Sequence, residues 1–235
     1  MIRSMILVAG LFALVGCSDA AADDTESGAG ASSQEPTGDQ VSAGASSRAT
    51  IKDLPIKEAS KTCTIDLVRP VVEVPGNAVA TAAIAKAFED EGVEQSAPPA
   101  GQSFCSGGGD SMVSVDGEYS VTTNAKGILS VHVNTNNPQP NPDKFVFDLS
   151  TGKHLSLGDV LTKAGIDKVK AACAAGSESI ADPSSCDNIS SSSKDLEVTT
   201  DSLIVMLDVF NEIAIPWKNI DRTIASPAIV NFLKR

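Results

Sequence analysis

The spacing of apolar residues along the chain switches several times between alternation and a helical period. Each switch marks the boundary of an expected element. Residues 64–69 alternate as a half-buried strand does and run into Pro70, after which residues 71–75 read as extended. From Asn77 the residues Val79, Ala83, Ile84, Ala87 and Phe88 share one helical face, Lys86, Glu89 and Asp90 take the other, and Gly92 ends the segment. Residues 96–110, rich in Pro, Ser and Gly, are expected to form a loop. Strand-like runs follow at 112–115, 119–123 and 128–135. Asp116-Gly117 and Asn124-Ala125-Lys126-Gly127 lie between them and supply the positive φ of hairpin turns, which predicts a meander.

A Pro/Asn loop is expected at 136–143, a strand at 144–149 and a turn at 150–153. A helix is expected over 158–174 with Val160, Leu161, Ile166, Val169 and Cys173 inward and a break at Gly165. Residues 196–199 and 202–207 form a hairpin turned at Thr200-Asp201, 213–217 is the last strand, and 224–233 is a terminal helix interrupted at Pro227. Strands joined mostly by hairpins, with helices between them, predict an α+β domain: a single antiparallel sheet with two to three helices packed on one face.

The first residues have a different plan. Arg3 supplies a positive charge and residues 5–15 an apolar run, much shorter than the roughly 20 residues a membrane-spanning helix needs. Leu14-Val15-Gly16-Cys17 at its end resembles the lipobox of bacterial lipoprotein precursors. The resemblance implies diacylglyceryl alkylation of the Cys17 thiol, cleavage just before it, and anchoring of the chain in a lipid bilayer. An ordinary signal peptide cleaved near Ala20-Ala21-Ala22 is the alternative. Ser18 after the cysteine implies release to an outer membrane where the cell has one, facing the periplasm or the cell surface.

Residues 18–50 hold almost nothing large and apolar, so they cannot offset their chain entropy by burial and are expected to be disordered. As a flexible coil such a segment reaches roughly 30 Å. The expected organisation is a signal peptide at 1–16, a lipidated acidic tether at 17–50 and one folded domain at 51–235.

Charge narrows the partners. The chain carries a formal −12, and residues 51–235 hold 24 acids against 16 bases, or −8. That balance argues against nucleic acid and anionic headgroups and permits a cationic partner. With Cys17 acylated, four cysteines remain, an even set that in an oxidising compartment reads as disulfides. Three connectivities are possible, and closeness in sequence favours Cys63–Cys105 and Cys173–Cys186. A zinc site is not expected: there is no Cys-x-x-Cys, and His132 and His154 sit near no cysteine.

No catalytic constellation is legible. Neither histidine is flanked by a nucleophile elbow or a metal-binding helix motif, and both read as surface residues. Ser106-Gly107-Gly108-Gly109-Asp110 lacks the strand and helix of a phosphate cradle, and Trp217 reads as a core residue beside Ile215. Paired carboxylates acting on a glycan are conceivable, but no pair stands out among so many acids. No cofactor is implied.

Several segments together resemble a known domain. They are the extended stretch at Pro70 with its following helix, the hairpin around Gly127-Ile128-Leu129-Ser130-Val131, and the turn Asp148-Leu149-Ser150-Thr151-Gly152-Lys153. With them go Leu155-Ser156-Leu157-Gly158-Asp159-Val160-Leu161 and the ending Ile213-Ala214-Ile215-Pro216-Trp217. They resemble the extracytoplasmic domain of RsiV-like anti-sigma factors, shared with the N-terminal part of some peptidoglycan deacetylases, over residues 58–225. The family's aromatic-rich stretch before the last strand is replaced here by Asp208-Val209-Phe210-Asn211-Glu212, and the cysteines are additional.

Sensing members bind lysozyme, so the resemblance implies a binding domain for a cationic wall-lytic protein or for peptidoglycan. A glycan-acting enzyme and a structural partner in an envelope complex are the alternatives. Loops near sheet ends carry ligand contacts, which places the expected contact surface at Asp143, Asp208, Phe210 and Glu212.

Overall fold

The computed structural model describes residues 48–96, 103–107, 113–137, 139–176, 183–208, 211–220, 225 and 227–233. The expectations for Cys17, the signal peptide, nearly all of the tether, and Phe210 lie outside these residues.

The architecture is α+β, but it has two sheets where a single one was expected. Strands β1 (Thr50–Ala59), β2 (Cys63–Glu73), β3 (Val113–Ala125), β4 (Ile128–Asn136), β5 (Pro140–Asp148) and β6 (Lys153–His154) form one six-stranded sheet in chain order. Strands β7 (Leu196–Val198), β8 (Ser202–Met206) and β9 (Glu212–Pro216) form the second. The first sheet is mixed: β2 and β3 run parallel from Cys63↔Val113 to Leu67↔Gly117, and the other pairs are antiparallel. A parallel pair needs a long crossover. Here it contains helix α1 (Ala78–Asp90), which the sequence pattern had placed without revealing what it connects.

Both faces of the large sheet are covered. On one, Ala80, Ile84 and Phe88 of α1 pack against Val72, Leu129, Val131, Val133, Phe145 and Phe147. Phe88 meets the rings of Phe145 and Phe147 edge-on at 4.8 and 5.2 Å, the geometry that aligns a positive ring edge with a negative face. The buried stripe of α1 is therefore 80, 84 and 88, and Val79, expected inward, is exposed. On the other face, Ile128 and Val146 join a core with the small sheet, helices α2 (Leu157–Val160) and α3 (Lys163–Ala175), and Ile229 of α4 (Pro227–Leu233). The helices are thus divided between the two faces. The expectation of one helical face fails because β4 is buried on both sides from Ile128 to Val131 and left no alternation there to read.

Two polar anchors fix the small sheet to the large one. A bulge displaces the pairing of β3 and β4 between Val121 and Thr123. The extra residue, Thr122, donates from its hydroxyl to the Val198 carbonyl at 3.0 Å. The Ser130 hydroxyl oxygen accepts from the Val198 N–H, also at 3.0 Å.

Local chemistry explains further departures. The expected helix over 158–174 is two, with Leu161 extended between them and the Thr162 side chain capping α3, so the break precedes Gly165. Residues 140–143, expected in a loop, belong to β5. Its first residues pair only with β4, so Pro140 and Pro142 sit on an open edge where a missing donor costs little. Asp116-Gly117 makes no turn and lies inside β3. Glycine is needed there for space: a Cβ would lie 2.4 Å from the Asn134 carbonyl oxygen and 3.2 Å from Arg69 Nη1. The hairpin turn expected over Asn124-Ala125-Lys126-Gly127 narrows to Lys126-Gly127, with φ of 53° and 81°, while Asn124 and Ala125 pair with Leu129 and Ile128 inside the sheet.

The two disulfides are Cys63–Cys105 and Cys173–Cys186, as closeness in sequence favoured. The first ties the start of β2 to the 3₁₀ turn Phe104–Gly107, and the second ties the end of α3 to the 3₁₀ turn Pro183–Asn188. In the chain-entropy view a short closed loop like the second contributes about 3 kcal/mol.

Gly117→Ala should lower the unfolding free energy by ~3 kcal/mol, because the clash is with hydrogen-bonded backbone that must shift. Urea denaturation checks this, and a change within ~0.5 kcal/mol would mean that β3 and β4 yield freely there.

Candidate functional site

The site grows from the way α1 ends. The Gly92 N–H bonds the Glu89 carbonyl and the Val93 N–H bonds the Phe88 carbonyl, with Gly92 at φ 78°, a Schellman closure that returns the chain to the core at Val93. Glu91 is left at the negative end of the helix, and the last turn has no base. Beside it β5 presents Asp143, β6 presents His154, and the chain entering β7 brings Ser192, Ser193, Lys194 and Asp195. Together they line a recess of about 290 Å³.

Carboxylates outnumber cations here. Lys194 is 3.9 Å from Glu91. Lys144, next to Asp143 on the opposite face of β5, is buried and bound by Glu197 at 2.6 Å and Glu212 at 2.9 Å. Arg69, beyond Asp143, bonds Glu94 at 2.9 Å. Asp143 and Asp195 are left without an ion pair among the described residues. Burial first, then the charges of Asp195 and Glu91, push the Asp143 carboxyl up to about 6, against a smaller pull from Arg69. The Asp195 carboxyl is raised as well, by burial first and then by Glu91, with Lys144 opposing.

His154 is not the surface residue its turn position suggested. It lies 5.2 and 5.3 Å from the rings of Phe145 and Phe147, and its Nε2 is buried without a hydrogen-bond partner among the described residues. Burial, and secondly the charge of Lys194, lower its imidazole to about 4, so it is neutral at pH 7 and does not offset the acids. A recess of this kind attracts a cation. Among the described residues no group of three or more His, Cys, Asp or Glu side chains is placed to hold a metal ion.

The residues expected to bind do not share one surface. Asp143 belongs to the recess. Glu212 is committed to Lys144 between the two sheets. The carboxylate of Asp208 accepts from the Asn211 N–H at 2.9 Å, from the Asn211 amide and from the Ser185 hydroxyl at 3.2 Å, which closes the β8–β9 connection. Glu91, Asp195 and His154 were missed: each follows or precedes an ordinary element end, and only the crossover and the small sheet bring them to Asp143.

Comparison with known proteins bears on the fold. No family model and no curated protein sequence matches the chain. A solved structure of a DUF3298 family member from Bacteroides fragilis superposes with a TM-score of 0.55 at 10% identity, covering 80% of this chain and 97% of that one. A DUF3298 family protein from Pseudomonas aeruginosa PAO1 gives a TM-score of 0.49, also at 10% identity, over 78% and 96% of the two chains. The fold is therefore of the kind that the Bacteroides protein adopts, with the acidic recess described from this chain's own residues.

Asp143 and His154 set opposite pH dependences. Asp143, raised when folded, binds more protons in the native state and lowers stability as pH rises from about 4 to about 6. His154, lowered when folded, binds more protons when unfolded and lowers stability as pH falls from about 6.5 to about 4. The slopes oppose each other in one window. Asp143→Asn should stabilise the protein on the order of 1 kcal/mol at neutral pH, allowing for partial exposure of the carboxyl. It should also uncover the downward slope of His154 below about pH 6. Thermal unfolding across this range tests both, and an Asp143→Asn curve parallel to that of the parent would contradict them.

Proposed function

We propose that this chain is a lipid-anchored extracytoplasmic binding protein that captures a cationic envelope component in the recess of Asp143, Asp195 and Glu91. The observation that carries the reading is the pair of carboxylates, Asp143 half-buried and Asp195 exposed, each raised by its acidic neighbours and neither in an ion pair with a described residue. Such a pair raises the energy of the empty site and is relieved by an incoming Lys or Arg side chain. A recess of about 290 Å³ suits one long basic side chain, and the acidic balance of residues 51–235 steers a cationic protein toward it.

Other features support the setting. Two disulfides suit an oxidising compartment, and Leu14-Val15-Gly16-Cys17 supports lipid attachment at Cys17. Among the described residues no helix is long and apolar enough to cross a membrane. The resemblance to lysozyme-sensing RsiV-like domains makes lysozyme the first partner to test, with peptidoglycan as the second. One specific observation favours a different reading, an enzyme acting on wall glycan: a carboxyl held near 6 is suited to act as a general acid.

Surface plasmon resonance of the full chain against hen lysozyme separates these readings. Association should slow steeply as salt rises, and affinity should increase about tenfold from pH 5 to pH 7.5 as Asp143 ionises. Asp143→Asn should remove that increase. No binding at tens of micromolar in low salt would contradict lysozyme capture. Release of reducing sugar from peptidoglycan, lost in Asp143→Asn, would establish the enzymatic reading instead.

A further inference from the structure

A second cleft, of about 1060 Å³, opens between the β3–β4 hairpin and the segment that follows β9. Its character is the reverse of the domain's. Lys126 and Lys218 line it, both exposed, and among the described residues no Asp or Glu does, although residues 51–235 carry −8. Between the lysines lies an aromatic floor. Trp217 and Phe232 pack edge to face with centroids 5.8 Å apart, and the indole is fixed by donating from Nε1 to the Thr199 carbonyl at 2.9 Å.

The lysines differ in how they are held. Lys126 sits in the hairpin turn with φ 53°. Its ammonium lies 6.0 Å from the centre of the Phe232 ring and donates to the Phe232 carbonyl at 3.2 Å. Lys218 follows Trp217 directly and makes no ion pair with a described residue. A rigid hairpin and a short 3₁₀ turn, Trp217–Asn219, therefore place two positive charges around aromatic and aliphatic surface, with the exposed Thr200 at the edge.

The half-buried Phe232 ring, packed on the buried Trp217, offers a face to the C–H side of a sugar, and flanking ammonium groups select an anionic substituent. The cleft also has the size of a small-ligand site. We infer that this cleft binds an acidic sugar, one bearing a carboxylate or a phosphate, as a unit of an envelope glycan. It is separate from the Asp143 recess and of opposite charge, so one domain holds a cationic component at one place and an anionic glycan at another.

Trp217 is the chain's only tryptophan, so its fluorescence reports on this cleft directly. The full chain is titrated with galacturonic acid trimer, mannose 6-phosphate and neutral maltotriose. A saturable change in emission is expected with at least one acidic sugar, and the two acidic arms distinguish carboxylate from phosphate. Maltotriose should bind at least about tenfold more weakly, and Lys126→Gln with Lys218→Gln should weaken the acidic sugar by about tenfold or more. Where the double variant unfolds, Lys218→Gln alone serves, since that side chain is exposed, and several-fold weakening is expected of it. Lys57→Gln, at an exposed lysine of β1 outside the cleft, should leave the titration unchanged, which separates binding in this cleft from a general effect of charge. The inference is overturned if neither acidic sugar gives saturation by about 10 mM, if maltotriose binds as well as they do, or if the lysine variants bind like the parent.

Discussion

Lys144 is the charge on which both the fold and the site depend. Its side chain is 4% exposed, and the carboxylates that neutralise it come from the other sheet: Glu197 on β7, 11% exposed, and Glu212 at the start of β9. A buried ammonium without partners costs several kcal/mol, and breaking one arm of such a set is strongly destabilising. The small sheet is thereby held in one register against the large one, with the Thr122 and Ser130 contacts to Val198 fixing the same edge. The clamp also consumes two acids that would otherwise meet a ligand.

The consequence appears on the other face of β5. Successive residues of a strand point to opposite sides, so Asp143 turns away from the Lys144 clamp and toward the end of α1. There it meets Glu91 and Asp195, and the one histidine nearby is too buried to carry charge. The fold thus separates acids that are satisfied from acids that are not. Such strain is characteristic of binding sites, which trade stability for a partner's contact.

The sequence pattern carried much of this architecture and little of the site. Turn glycines and alternation placed β4, the β8–β9 strands and helix α1 close to their observed positions, because each depends on local chemistry. Pairing was less legible. Nothing local marks β2 and β3 as parallel neighbours, since a crossover of some forty residues joins them. The Asp116-Gly117 dipeptide pointed to a turn, although its glycine answers to a carbonyl on β4. Asp143 was picked out for its charge near a sheet end, and it does sit among perturbed acids, but in a strand. Asp208 and Glu212, chosen on the same grounds, serve the loop and the clamp. Asp195, His154 and Glu91 acquire their roles only through tertiary contacts among three distant segments.

The most direct measurement is the titration of the Asp143 and Asp195 carboxyl groups by carbon-13 NMR, in the free protein and after addition of a cationic partner. Asp143 should titrate near 6 and Asp195 above the ordinary aspartate value in the free protein, and both should move down when a basic side chain enters the recess. Two ordinary titrations near 4 in the free protein, or raised values indifferent to a partner that binds, would contradict the assignment of this recess as the site of cation capture.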